Sequence, residues 1–243
     1  MRRKKTLKIV LVVVAVVLVV AAAGFFAWTR VAGYAASPEA VALAETAKTS
    51  QGWYTFKPAQ PTDTGCIFYP GGLVDPAAYA PLMKQVSERG IMTVIVPMPL
   101  DLAVFGANKA HDVIAAYPDI EHWIIAGHSL GGSMAVGFVK DNPAAAEGLV
   151  LLASYPASSA DLSGLPIEAV SVYGTEDGVA GDKPAASMGR LPPGTGLVVI
   201  DGGNHAQFGD YGTQRGDGTA SISREDQQQQ TATAIAGLAS GLK

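Results

Sequence analysis

The 243-residue chain is 49% hydrophobic and 16% charged, with enough apolar material for one full globular core. Its net charge of −4 hides an asymmetry: Arg2, Arg3, Lys4, Lys5, Lys8 and Arg30 fall in residues 1–30, which hold no acid, so the body is acidic. An acidic body argues against nucleic-acid binding, which needs a basic face to displace counterions, and the single cysteine, Cys66, excludes an internal disulfide.

Residues 9–28 are an uncharged, Val-rich run. As a helix such a run is about 30 Å long, the thickness of a bilayer's hydrocarbon core. The basic segment 1–8 before it belongs on the cytoplasmic side, which sends the remainder of the chain across, with Trp28 at the outer interface. A cleaved signal peptide is the rival reading, since small residues follow Gly33. The apolar run exceeds the roughly 7–15 residues usual in a signal peptide, which favours a retained signal-anchor. The expected organisation is a basic segment at 1–8, a membrane helix at 9–28, a juxtamembrane helix and linker at 29–52, and one domain at 53–243.

Ser37-Pro38-Glu39 starts a short helix, with Ser as cap and Pro at the first helical position. Residues 53–56 read as an edge strand. Residues 66–69 form the next strand and end in Pro70-Gly71-Gly72. A helix at 76–89 closes at Gly90, a strand at 91–96 follows, and residues 102–116 read as helix. Residues 123–126 make a short buried strand before Gly127-His128-Ser129-Leu130-Gly131, and an apolar helix occupies 133–139. Strands at 149–153, 169–173 and 197–200, a helix at 184–188 and a C-terminal helix from 224 complete the chain. Short strands alternating with helices predict a doubly wound, mostly parallel α/β sheet. The run of four glutamines at 227–230 is assigned to a solvated helix face.

Gly127-His128-Ser129-Leu130-Gly131 is the G-x-S-x-G of a nucleophile elbow, a strained strand-to-helix turn that lifts a serine hydroxyl into the open. Side chains at 127 or 131 would collide where strand and helix pass. A serine needs a base, and a neutral imidazole serves best. In a sheet of this kind the order is nucleophile, acid, histidine. His205, in the loop after the last strand, is then the base. His128 is held in the turn and expected to point elsewhere, and His111 and His122 precede the elbow. The acid comes from the loop Gly174-Thr175-Glu176-Asp177, with Asp177 preferred and Glu176 the alternative. Two N–H donors for an oxyanion are expected from Leu130 and from Gly72, with Leu73 as the fallback. The polar loop 209–218 reads as a mobile surface loop; covering the site, or binding a cation through Asp210 and Asp217, is the less favoured role. Its Arg215-Gly216-Asp217 tripeptide is discounted as a chance match. No metal-ligand cluster, phosphate loop or dinucleotide fingerprint is present, so no cofactor is expected.

Strand-Pro70-Gly71-Gly72, Gly127-His128-Ser129-Leu130-Gly131-Gly132, Gly174-x-x-Asp177 and Gly202-x-Asn204-His205, in this order, resemble the α/β-hydrolase family across residues 53–241. Within it the chain resembles the small membrane-anchored bacterial members of the "alpha/beta hydrolase fold-5" type and, more loosely, the dienelactone hydrolases. The resemblance implies a Ser129–Asp177–His205 triad with Leu130 and Gly72 as oxyanion donors, acting on a small-molecule acyl substrate. Two departures stand out. Pro70 occupies the place where many lipases and esterases have a histidine that braces the glycine loop. Only residues 154–168 join the strands where relatives insert a helical lid, which predicts an open, shallow site. A carboxylic-ester hydrolase is the leading expectation. An acyltransferase using the same residues, or a non-catalytic binding domain, are the alternatives.

Overall fold

The computed structural model describes residues 2–242; Met1 and Lys243, the ends of the basic segment and of the domain, lie outside the described residues. The chain divides into two units, Met1–Gly33 and Tyr34–Lys243. The first is a single helix, α1 (Arg2–Ala32). Its stretch Val10–Ala32 has a mean hydropathy of 3.1 over its most apolar window and is long and apolar enough to cross a membrane.

The second unit opens with α2 (Pro38–Thr46), capped by the Ser37 hydroxyl, which accepts the Ala40 N–H at 3.1 Å. Ala40 and Ala44 of this helix are fully buried, and residues 34–52, within the juxtamembrane helix and linker expected at 29–52, fall in the same unit as the sheet. A seven-stranded sheet follows: β1 (Tyr54–Phe56), β2 (Thr64–Tyr69), β3 (Met92–Ile95), β4 (His122–His128), β5 (Gly148–Leu152), β6 (Glu168–Gly174) and β7 (Gly196–Ile200), in spatial order β1-β3-β2-β4-β5-β6-β7. β1 runs antiparallel to β3, and every other neighbouring pair is parallel.

Alternation along the strands sends side chains to two cores. Cys66, Phe68, Ile124, Ala126, Val150 and Leu152 face one; helices α3 (Ala80–Ser87) and α7 (Arg224–Ala239) cover it through Leu82, Met83, Ala232 and Ile235. Ile67, Tyr69, Trp123, Ile125, Leu149 and Leu151 face the other; α4 (Ala110–Ala116) and α5 (Leu130–Asp141) cover it through Val113, Ala135, Phe138 and Val139. A sheet buried on both faces is what the near-continuous apolar runs of these strands require. The short α6 (Lys183–Ala186) lies between β6 and β7 in the chain.

Three expected elements differ. The helix at 76–89 is a 3-10 turn, Pro76–Tyr79, followed by α3, because Pro81 in the first turn of α3 has no N–H to continue a longer helix. The helix at 102–116 shrinks to α4: Leu100 and Asp101 both take positive φ, 58° and 55°, and residues 99–105 form two 3-10 turns. The four glutamines are not all solvated. Gln227 and Gln228 are buried, and the Gln227 amide donates to the Asn204 carbonyl at 2.7 Å and accepts the Asn204 N–H at 3.0 Å. An amide side chain can satisfy both backbone groups of one residue, which is why a polar residue is held at a core position.

Candidate active site

Parallel pairing brings the carboxyl ends of the central strands to one edge. Tyr69 pairs with Gly127, His128 with Leu152, and Gly174 with Ile200. The loops carrying Gly72, Ser129, Asp177 and His205 all leave from that edge, where α/β sheets present their ligand sites.

At the end of β4, Ser129 adopts φ 51° and ψ −119°, a conformation costly for a side-chain-bearing residue. The surroundings hold it there: its N–H donates to the Leu152 carbonyl at 2.9 Å, and its carbonyl accepts the Ser154 hydroxyl at 2.7 Å. A Cβ at Gly127 would sit 2.5 Å from the Gly131 carbonyl carbon, and one at Gly131 would overlap the Tyr69 carbonyl. The turn therefore demands glycine at both places. Leu130 opens α5, so its N–H belongs to the first turn and has no intrahelical acceptor.

His205 lies after β7 and is 1% exposed. Its Nδ1 is 3.0 and 3.1 Å from the two carboxylate oxygens of Asp177, itself 5% exposed. Asp177 Oδ1 also accepts the N–H groups of Val179 (2.9 Å) and Ala180 (2.7 Å), which fix the carboxylate in place. Glu176, the alternative acid, is exposed and takes its hydrogen bond from Thr175. With Nδ1 on a carboxylate, the neutral imidazole carries its proton there and offers a lone pair at Nε2. That Nε2 is buried and makes no hydrogen bond among the described residues. A cavity of about 260 Å³ is lined by Ser129, Leu130, Ser133, Ala153, Tyr155, Val179 and His205. Ser129 and His205 thus share one small, partly apolar space.

The loop after β2 presents three successive N–H groups. Gly71 donates to the Tyr79 hydroxyl at 3.0 Å and Leu73 to the Asp101 carbonyl at 2.7 Å, which occupies the fallback donor. The N–H of Gly72, between them, makes no hydrogen bond among the described residues. A Cβ on Gly72 would come within 2.9 Å of the Leu130 side chain, so the two residues lie against each other.

Two features were not foreseen. His128 does not point away: its ring is 4.5 Å from that of His205, centroid to centroid, and its Nδ1 is 2.8 Å from the Tyr79 hydroxyl. Burial, and next the neighbouring His205, hold the His128 pKa well below the usual imidazole value, so it is neutral. The loop 209–218 is anchored at both of its aspartates. Asp217 accepts N–H groups from His205 (3.1 Å), Ala206 (2.8 Å), Gly178 (3.2 Å) and Gly218 (2.9 Å), and Asp210 pairs with Arg224 and accepts the Ser37 hydroxyl. Backbone donors fill the carboxylate that would have held a cation. Nothing in the spacing of loop acids signals this; only the fold brings residue 217 beneath residue 205. His111 and His122 lie elsewhere, bonded to Asn142 and Glu147. Among the described residues no group of three or more His, Cys, Asp or Glu is placed to hold a metal ion. The connection 153–167 between β5 and β6 contains no helix or strand. Cys66 is buried in β2, and burial pushes its thiol up to about 12, which leaves it an inert core residue.

Solved structures share this architecture at low identity. The esterase domain of a Rhodothermus marinus protein superposes with a TM-score of 0.60 at 10% identity, covering 80% of this chain and 96% of that one. The carboxylesterase CesB of Bacillus subtilis gives 0.53 at 13% identity, with 69% and 88% covered. A monoacylglycerol lipase of Paleococcus ferrophilus gives 0.57 at 11% identity, with 76% and 98% covered. At these identities the likeness is one of fold. No curated protein matches the chain in sequence. The sequence model of the alpha/beta hydrolase family matches residues 65–229, from β2 into α7 and across every loop of the site, and the chain belongs to that family.

Proposed function

We propose that this chain is a serine hydrolase, and specifically a carboxylic-ester hydrolase working through an acyl-enzyme on Ser129. The observation that carries the reading is the buried Asp177–His205 pair, whose histidine lines the same cavity as Ser129. In the proposed cycle His205 Nε2 takes the Ser129 proton as the hydroxyl oxygen attacks an acyl carbonyl. Asp177 holds the Nδ1 proton and stabilises the imidazolium. The N–H groups of Leu130 and Gly72 receive the developing oxyanion, Gly72 being the one donor of its loop without another acceptor. The imidazolium then protonates the leaving alcohol, and a water activated by the same nitrogen releases the acid.

The cavity, about 260 Å³ and walled by Leu130, Tyr155 and Val179, favours a short acyl group. The apolar helix α1 and the basic residues before it support a single-pass membrane anchor with the domain on the outer side. A fluorophosphonate applied to the purified protein tests the chemistry. One covalent group at Ser129, with hydrolysis of short-chain esters in the unlabelled enzyme, is the expected result. Absence of both label and turnover removes the reading. Product analysis with added alcohols separates hydrolysis from acyl transfer.

A further inference from the structure

We infer that Tyr79 and His128 are positioning residues that brace the Gly71–Gly72 loop against the elbow, replacing the loop histidine that Pro70 displaces. The inference rests on the hydrolase reading of Ser129 and Gly72. Proline has no N–H and no polar side chain, so residue 70 cannot donate a hydrogen bond to hold the loop as a histidine there would. The tie comes from the other side. The Tyr79 hydroxyl, fully buried, accepts the Gly71 N–H at 3.0 Å and lies 2.8 Å from His128 Nδ1.

Proton counting orients this chain. If His128 Nδ1 carried the proton and donated to Tyr79, the phenol proton would have no acceptor and the His128 Nε2 lone pair no donor. If Tyr79 donates to Nδ1, only the Nε2 N–H is left over; it makes no full hydrogen bond among the described residues, and the His205 backbone lies close enough to the ring to favour a proton on it. Leaving one buried polar atom unpaired costs less than leaving two. The direction is therefore Gly71 N–H to Tyr79 oxygen, and Tyr79 O–H to His128 Nδ1.

The arrangement is tight. A Cβ on Gly71 would fall 2.8 Å from both the Tyr79 oxygen and His128 Nδ1. Tyr79 is held in turn by its ring against Phe68 of β2, at 4.8 Å between centroids. His128 is the residue before Ser129. Two hydrogen bonds thus run from the residue beside the candidate nucleophile to the residue beside the candidate donor Gly72. They set the distance between the attacking oxygen and the N–H that must receive the oxyanion. A neutral His128 is required, since a protonated one could not accept from Tyr79.

The test uses the full-length protein with paired oxo and thiono esters of one short acyl chain, because sulfur accepts hydrogen bonds poorly and the oxo/thiono rate ratio reports on oxyanion donors. Tyr79→Phe is expected to lower kcat by about 10- to 100-fold, less than outright loss of a donor, with KM within about twofold, and to shrink the oxo/thiono ratio. His128→Asn, whose amide oxygen can accept from Tyr79, should retain most of kcat; His128→Leu should match Tyr79→Phe, and the double variant Tyr79→Phe/His128→Leu should be no worse than either. Rates are referred to the number of fluorophosphonate-reactive sites, so a poorly folded variant does not pass for a slow one. An unchanged oxo/thiono ratio in Tyr79→Phe overturns the inference, as does equal loss in His128→Asn and His128→Leu. Failure of the wild-type protein to turn over either ester instead removes the hydrolase reading beneath it.

Discussion

The Asp217 carboxylate accepts the backbone N–H of His205 at 3.1 Å while also accepting that of Gly178, the residue after Asp177, at 3.2 Å. One side chain thereby ties together the two loops that supply the candidate base and acid. Hydrogen bonds to a charged acceptor contribute roughly 1.5–3 kcal/mol each. Asp217→Asn leaves one oxygen and turns an NH2 group toward N–H donors. It is expected to lower kcat at least about tenfold and to destabilise the domain by about 2 kcal/mol. Ester kinetics and urea melts check this, and a variant within twofold of wild type on both would contradict it.

The proposed base and acid make a sharper claim. His205→Ala is expected to remove activity by about 10⁴-fold or more, and Asp177→Asn to cost heavily by releasing the Nδ1 proton's partner. Glu176→Gln should change little, because its side chain is exposed. Steady-state rates of the three variants decide, and greater damage from Glu176→Gln would move the acid by one residue.

Ser129 stores backbone strain at φ 51°. Ser129→Ala should lose the fluorophosphonate label and stay folded with the strain intact. Ser129→Gly should relieve it and be more stable than the alanine variant by about 1 kcal/mol. Thermal melts of the two inactive proteins make the comparison. Equal or reversed stabilities would mean that the turn is not strained.

The buried, neutral His128 gives stability a pH dependence of definite sign. Its folded pKa lies well below the ordinary 6.5 because burial, and then His205, oppose its charge. Between those two pKa values the unfolded chain binds a proton that the folded one refuses, so stability is full above about pH 6.5 and falls as pH drops below it. The slope from this residue alone approaches about 1.4 kcal/mol per pH unit. His122, held up by Glu147, works in the opposite direction. Urea midpoints from pH 8 to pH 5 should show a decline that His128→Asn flattens; parallel curves for the two proteins would sink the assignment.

The membrane reading and the domain boundary are tested together. The full chain should sediment with membranes, with the domain open to protease added outside the cell, whereas a chain beginning at Tyr34 should be soluble and folded. Beginning instead at Trp53 removes the buried Ala40 and Ala44 and the bond from the Tyr34 N–H to the Leu73 carbonyl, 2.7 Å long. That shorter chain should melt about 5 °C or more below the one from Tyr34.

The sheet is legible because its strands are short apolar runs bounded by Gly, Pro or polar residues, and because alternation with helices over most of the chain favours parallel pairing; the antiparallel edge strand β1 and the helix-free step from β5 to β6 depart from it. The elbow is legible for a different reason. Glycines 127 and 131 mark a crossing so close that the sequence records it directly. The helix expected at 102–116 is shorter because its hydrophobicity is right while Leu100 and Asp101 take a left-handed turn that no composition announces. The roles of Gln227, Asp217 and Tyr79 are not legible for a shared reason. Each bonds to the backbone of a residue in another element or loop, eight or more positions away, and a partner of that kind leaves no mark on local pattern.

The bare connection 153–167 has a kinetic consequence. A helix lying over a site must swing aside before a substrate can enter, and that opening makes the rate depend on what drives it. Among the described residues this connection carries no helix to be opened, so the proposed ester turnover should rise smoothly with substrate and show no jump where the substrate begins to form droplets. An enzyme of this build would be tuned for molecules met one at a time.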